Sequence, residues 1–287
     1  MLQVARLAPQ QLGESRDLVA AFLRARVNPD GGFQDRAGAS DLYYTVFGLD
    51  ALIGLQEPLP AATAAYVDGL AGSDLDFVHL ACLARAWAAL KRVPPPPVVD
   101  RLLARLETFR TSNGGFATSI GASHGTAYAA FLALGAYQDL GRTMPADGIA
   151  ESLQTLKAAD GSYANHPGMA TGLTTATAAA VLVLRHIDDA ARDRNAGVWL
   201  LDRCHPRGGF FASPATPVPD LLSTATALHA LSTLHLPLGG LREPCLDFVD
   251  SLWTNRGGFF GTWADDEADC EYTFYALLAL GHLSLAS

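Results

Sequence analysis

Apolar residues recur along this chain in two alternating patterns. In the first, they return every three or four positions with charged residues between them: LVAAFLRARV (18–27), VVDRLLARLETF (98–109), IAESLQTLKAA (149–159), AGVWLLDRC (196–204) and CLDFVDSLW (245–253). This is the period of an amphipathic helix with one buried stripe. In the second, nearly every position is apolar: YYTVFGLDALIGL (43–55), TAYAAFLALGAY (126–137), TTATAAAVLVL (174–184), STATALHALSTL (223–234) and EYTFYALLALGHL (271–283). Such segments predict helices covered on most faces. The two kinds alternate, so the chain reads as a series of helix pairs. No run of strict two-residue alternation calls for a strand.

A Gly-Gly-aromatic unit stands between the members of each pair. It occurs at Gly31-Gly32-Phe33, Gly114-Gly115-Phe116, Gly208-Gly209-Phe210 and Gly257-Gly258-Phe259, with a variant at Gly161-Ser162-Tyr163. The aromatic positions are 47, 47 and 49 residues apart from Phe116 onward, and 83 apart from Phe33 to Phe116. The long interval predicts a further copy without glycines, roughly over residues 57–92. The glycine pair reads as a helix stop, since glycine tolerates the left-handed backbone of a C-cap. Pro58, Pro60 and the run Pro94 to Pro97 fall between units, where helices end. Six pairs in 287 residues give about 48 residues each, a period of helical-hairpin repeats. An open solenoid needs polar repeats at both ends. The last apolar helix runs almost to the end of the sequence, so a closed ring is predicted: six inner helices, six outer ones, one domain over residues 1–287.

Composition narrows the partners. With 20 basic against 29 acidic side chains the net charge is −9, which argues against a coat for nucleic acid or anionic membrane. Cys82, Cys204, Cys245 and Cys270 are dispersed and form no CxxC pair, so a reducing compartment is expected. The first residues lack the apolar core of a signal peptide, and no apolar run approaches the roughly 20 residues of a membrane span. A soluble cytoplasmic protein is expected.

The unit made of GGF, a loop, Asp-x-x-Tyr-Thr and an apolar helix resembles the repeat of protein prenyltransferase β subunits and of squalene/hopene-type terpene cyclases. The similarity runs from about residue 16 to residue 285. It implies an α6/α6 barrel, the α/α toroid, with an apolar central cavity for an isoprenoid chain. It also implies either a prenyltransferase, with zinc and a partner subunit, or a cyclase that starts from a DxDD acid. A second reading is a non-catalytic toroid that binds a lipid, a peptide or a partner protein.

Aligning the second helices stacks Thr45, Ala127, Thr177, Thr224 and Thr273, with Asp41, Ser123, Leu173, Asp220 and Asp269 four positions earlier. In a closed ring these converge on one mouth of the cavity. Asp41 and Asp220, with Tyr43, Tyr44, Tyr128 and Tyr272, are expected to bind substrate; an acid before a helix is equally an ordinary N-cap. The last repeat clusters Asp265, Asp266, Glu267, Asp269, Cys270, Glu271 and Tyr272. The family's Asp-x-Cys-Tyr zinc segment is matched by Asp269 and Tyr272, with Cys270 one place early and Glu271 in the cysteine slot. Tyr44 stands where the family has its zinc histidine, and the family's basic grip on diphosphate is replaced by Thr262 and Asp265. Asp265–Asp269 also spells DDxxD, a magnesium pattern, so Asp265, Asp266, Asp269 and Cys270 are the candidate ligands for Mg²⁺ or Zn²⁺, with the zinc set incomplete. The DxDD acid is missing; Asp74-Leu75-Asp76-Phe77 lacks its last carboxylate. His124, in Ser123-His124-Gly125, resembles the family's cavity histidine and is the expected donor or acid there, beside Asp269 and Glu271 as catalytic residues. A capping role bonded to a neighbouring carbonyl is its alternative. Tyr43, Tyr44, Phe47, Trp87, Tyr128, Phe131, Phe274 and Tyr275 are the aromatics that line a pocket or simply pack.

Overall fold

The computed structural model describes residues 1–188 and 193–286. Its helices are α1 Leu2–Ala5, α2 Pro9–Leu12, α3 Arg16–Ala25, α4 Leu42–Gly54, α5 Thr63–Gly69, α6 Phe77–Ala89, α7 Pro96–Glu107, α8 Ala127–Asp139, α9 Ile149–Thr155, α10 Thr174–Ile187, α11 Arg194–Leu201, α12 Leu221–Thr233, α13 Arg242–Ser251 and α14 Cys270–Leu285. From α3 onward they form six pairs, and the copy without glycines is α5 with α6. In the other five pairs the even-numbered member is the apolar segment read from the sequence. Helix α8, for example, buries Ala127, Ala129, Ala130, Ala133, Leu134, Ala136 and Tyr137.

The chain divides into two compact units, Met1–Gly69 with Arg203–Ser287, and Leu70–Asp202. In the first, α14 packs between α4 and α12, and α1 lies against α14 and α4. The last repeat therefore rests on the first. In the second unit, α8 packs between α6 and α10.

The Gly-Gly-aromatic turns do not cap helices, contrary to the sequence expectation. Helix α11 ends at Leu201 with Asp202 in the right-handed region, six residues before Gly208. The glycines serve a close approach instead. A Cβ on Gly208, at φ +83°, would stand 1.7 Å from the carbonyl oxygen of Pro244 in the first turn of α13. A Cβ on Gly257, at φ +96°, would stand 2.1 Å from the carbonyl oxygen of Leu18 in α3. Each of these turns presses its backbone onto the first turn of the next amphipathic helix, and the last presses onto the first.

The aromatic residue of each turn is sunk in the core. Phe33, Phe116 and Phe210 are fully buried, and Tyr163 and Phe259 nearly so, each contributing about 2 kcal/mol of hydrophobic stabilisation. Short antiparallel bridges hold them: Phe33 pairs with Asp41, Phe210 with Asp220 and Phe259 with Asp269. In the first repeat these bridges lengthen into a two-stranded ladder, β1 Phe33–Gln34 and β2 Ser40–Asp41. Period-two patterning cannot announce strands of two residues, which is why the sequence showed none.

The stacked threonines are part of this fastening and do not open on a mouth. Thr45, Thr177, Thr224 and Thr273 are all fully buried. The hydroxyl of Thr45 accepts from the backbone N–H of Phe33 at 2.9 Å and donates to the carbonyl of Asp41 at 2.6 Å. Thr224 makes the same pair of bonds with Phe210 and Asp220, and Thr273 with Phe259 and Asp269. Thr177 accepts from the N–H of Tyr163 at 3.0 Å. A buried backbone N–H without a partner is costly, and one hydroxyl resolves it while locking turn to helix.

Candidate functional site

Three acids begin three helices of the first unit. Asp41, Asp220 and Asp269 each sit in extended backbone, and each accepts at Oδ1 from the N–H three residues on: Tyr44 at 3.0 Å, Ser223 at 2.6 Å and Tyr272 at 2.9 Å. The capping alternative therefore holds for one oxygen of each. The second oxygen of Asp220 takes the Ser223 hydroxyl at 2.7 Å. Burial raises the Asp220 carboxyl above its ordinary value, against the hydrogen bonds from Ser223.

Asp269 is different. Its Oδ2 accepts from Nε of Arg36 at 2.8 Å, and the same guanidinium forks onto Asp265, Nη2 to Oδ2 at 3.1 Å and Nη1 to Oδ1 at 3.3 Å. Arg36 is carried on the tight loop between β1 and β2, which Asp35 shapes by accepting from the N–H groups of Ala37 and Ala39. Its guanidinium lies 5.5 Å from the ring centroid of Tyr272, within cation–π range. Burial works against its charge and the two carboxylates outweigh that, holding it firmly protonated. No sequence pattern marks this residue: it is a single arginine in a polar loop, 229 and 233 positions from its partners.

Glu271 lies one residue into α14. The Tyr43 hydroxyl donates to its Oε1 at 2.7 Å. Burial pushes its carboxyl up to about 7; the Asp269 charge adds to this, and the Tyr43 bond and Arg36 oppose it. Aromatic rings surround it in sequence and space. Tyr43 packs edge-on to Phe47 with centroids 4.8 Å apart, and Phe47 contacts Tyr275 at 5.3 Å. Tyr43 and Phe47 on α4, and Glu271 and Tyr275 on α14, are all part-exposed and recur at the four-residue spacing of a single helix face. Tyr44 and Tyr272 flank the cluster, their hydroxyls raised to about 12 chiefly by burial and then by Asp269 and Glu271.

The remaining candidates lie apart or inside. Cys270 is fully buried, which pushes its thiol well up. Arg36 bonds to Asp265 and Asp269 and forms no ion pair with Asp266. Trp87 and Phe274 are buried packing residues with 2% and 3% exposure, so of the proposed pocket aromatics these two belong to the core. His124 and Tyr128 lie in the second unit. The His124 ring contacts the Ser123 hydroxyl at 3.1 Å through Nδ1 and His166 at 3.1 Å through Nε2, and Tyr128 is 41% exposed. Asp76 caps α6 by accepting from the N–H of His79, and Asp74 pairs with Arg105 at 3.2 Å.

Zinc does not fit these residues. One oxygen of Asp269 is committed to its helix and the other to Arg36, the Cys270 thiol is sealed in the core, and a tyrosine takes the histidine position. Asp265 likewise faces a guanidinium. Among the described residues no three histidine, cysteine or carboxylate side chains are grouped to hold a metal ion.

Comparison with known proteins identifies the fold. The model of the prenyltransferase alpha-alpha toroid domain matches three overlapping stretches, residues 7–95, 84–183 and 174–285. The chain belongs to that family. This α/α toroid is all-α, with six helix-hairpin repeats. Its structure is similar to that of the type II terpene cyclase MstE from Scytonema without ligand, with TM-score 0.67, 15% identity and coverage of 96% of this chain and 98% of that one. It is also similar to a variant of MstE in complex with its substrate geranylgeranyl dihydroxybenzoate, with TM-score 0.63, 14% identity and 97% of both chains covered. An inactive α-1,6-mannanase of Salegentibacter, holding α-1,6-mannotriose, aligns over 95% of this chain and 99% of its own with TM-score 0.61 and 14% identity. At such identities the likeness is one of fold, and the fold evidently carries glycan as well as terpene chemistry. No curated protein matches the toroid significantly by sequence. Among the described residues no helix is long and apolar enough to cross a membrane.

Proposed function

We propose that this toroid, acting as a single domain over residues 1–287 in the cytoplasm, is a terpene-cyclase-like enzyme that protonates an isoprenoid chain, with Glu271 as the acid. One observation carries the reading: a carboxyl raised to about 7, set in a face of aromatic rings and bonded by a tyrosine hydroxyl. At neutral pH a large share of such a carboxyl keeps its proton. Transfer of that proton to a terminal alkene carbon leaves a tertiary carbocation, which the next double bond attacks to close a ring; the cation so formed loses a proton to water, giving a neutral isomer of the substrate, and water returns a proton to Glu271. The Glu271 carboxylate that forms is stabilised by the Tyr43 hydroxyl. The faces of Tyr43, Phe47 and Tyr275 stabilise the cation by their quadrupole. Arg36 holds Asp265 and Asp269 in place, while burial, with the Asp269 charge adding to it, keeps the Glu271 carboxyl weakly acidic. This chemistry needs neither a metal nor a grip on diphosphate, which favours cyclisation over prenyl transfer. His124, Asp41, Asp220, Tyr44, Tyr128 and Tyr272 remain candidates for contact with the substrate.

The test is incubation with squalene, geranylgeraniol or geranylgeranyl diphosphate, followed by mass spectrometry of the extract. The expected product has the mass of its substrate and fewer double bonds. Turnover falls about tenfold per pH unit above 7, as the acid form is lost, and Glu271→Gln abolishes it with the fold intact. Full turnover by Glu271→Gln rejects the assignment.

A second reading is supported by the pairing of Arg36 with both Asp265 and Asp269, which removes those carboxylates from metal chemistry. On that reading the toroid binds a lipid, a peptide or a partner subunit without turnover. Tight binding of an isoprenoid that is recovered unchanged, equally in wild type and Glu271→Gln, selects it.

A further inference from the structure

A second polar feature interrupts the apolar helices of the first unit. His229 on α12 and His282 on α14 meet ring to ring, Nδ1 of His229 lying 2.9 Å from Nε2 of His282. His282 is 2% exposed, and its other nitrogen, Nδ1, is buried without any hydrogen-bond partner. His229 is only part-buried; its Nε2 makes no hydrogen bond among the described residues and is not sealed from solvent.

This asymmetry assigns the protons. The short contact needs one donor and one acceptor. If His229 donated through Nδ1, neutral His282 would carry its proton on the orphaned Nδ1, and a buried N–H would go unsatisfied. If His282 donates through Nε2, the orphan is a lone pair, which buried sites tolerate better. The second arrangement leaves His229 with its proton on Nε2, aimed at the open side. Neither ring takes up a second proton at neutral pH: burial lowers His282 to about 4, with the N-terminal charge adding to it, and burial lowers His229 well below its ordinary value.

The position of the pair matters as much as its protonation. On α12, Leu222, Thr226, His229 and Thr233 fall on one part-exposed stripe. On α14, Glu271, Tyr275 and His282 also share one stripe, and the two helices pack side by side. From Glu271 to His282 is eleven residues, about 16 Å along the helix axis. A neutral donor on α12 therefore stands at one end of this pair of helices and the raised carboxyl at the other, with the part-exposed Leu222, Thr226 and Tyr275 between them.

We propose that His229 is a substrate-binding residue whose Nε2–H holds an oxygen acceptor, a hydroxyl or carbonyl, at the end of the isoprenoid remote from Glu271, and that His282 is the positioning residue that fixes its tautomer. This rests on the reading that an isoprenoid lies along the face. It restricts the substrate class to chains of about farnesyl to geranylgeranyl length that bear oxygen at the end opposite the protonated alkene.

Nitrogen-15 NMR of the imidazoles in the free wild-type protein reads the tautomer without any ligand. A proton on Nε2 of His229 is expected; a proton on its Nδ1 overturns the donor role. Titration then compares geranylgeraniol with the hydrocarbon that carries a methyl group in place of its CH₂OH. Wild type should bind the alcohol at least tenfold more tightly. His229→Phe should abolish that preference while still binding the hydrocarbon, and His229→Gln, which keeps an N–H donor, should restore part of it. Equal affinities in wild type, or a preference that survives His229→Phe, overturn the proposal and leave the isoprenoid reading standing. Binding of neither compound rejects that reading and this substrate class with it.

Discussion

Among the five carboxylates between Asp265 and Glu271, burial and partners separate the roles. Asp269 and Asp265 are held by a guanidinium, whereas Glu271 has a single phenol and the repulsion of Asp269. The consequence is a pH dependence of stability. The group titrates near 4.5 in the unfolded chain and near 7 in the native one. It is neutral in both states below 4.5, so the native state is most favoured there. As pH rises from about 4.5 to 7 the unfolded chain ionises first, and this share of stability is lost. Glu271→Gln should therefore flatten that part of the melting-temperature profile, measured from pH 4.5 to 8; an unchanged profile would contradict the raised carboxyl. The acidic cluster was plain in the sequence, but the ranking of its members was not. That ranking depends on the burial of Glu271 and on Arg36, which comes from a loop more than two hundred residues away to hold Asp265 and Asp269, and no local pattern announces either. His229 and His282 went unremarked for a related reason: each is one polar residue in an apolar helix, and only their contact across two helices gives them meaning.

Helix ends and turns behave as a repeated joint. The alignment of threonines was legible because it depends on spacing alone. Their purpose was not, because a hydroxyl at the start of a helix can face a cavity or the backbone, and spacing does not say which. In four repeats it faces the backbone of the buried aromatic residue. In the α7–α8 repeat the position is Ala127, and the joint is made by the Thr126 N–H donating to the Phe116 carbonyl. Thr224→Val keeps the shape and removes the acceptor from a buried N–H. It should cost about 1–3 kcal/mol, seen as a lower midpoint in urea with an unchanged slope. A change within a few tenths would mean that the hydroxyl is dispensable. The glycine pairs were misread by the same route: composition suggested a helix stop, but the helices end earlier on ordinary right-handed residues, and the glycines exist for the neighbour they touch.

For the molecule as a whole, the number and order of helix pairs followed from apolar density and the recurring turn, including the pair without glycines. Which repeat touches which is a three-dimensional fact, and the decisive instance is Gly257 against Leu18. Gly257→Ala brings a methyl into that carbonyl at a positive φ and should destabilise strongly, by about 3 kcal/mol or more. Gly38→Ala is the control: its φ of +84° is also positive but nothing lies within 4 Å of the added carbon, so the cost should be about 1 kcal/mol. Thermal unfolding of the two variants measures the difference, and equal losses would mean that the last repeat is not fastened to the first through this turn.

That last-on-first contact gathers the first and last helix pairs of the polypeptide into one compact unit. In the five repeats that carry a glycine turn, the turn leans on the start of the helix that follows, and the last of them leans on the first helix pair. A gene rearranged to begin at the proline run after α6, with the old ends joined, would keep that contact between the last helix pair and the first. Loss of the last repeat would therefore uncover the apolar side of α4 in the first, so the two must be kept or lost together.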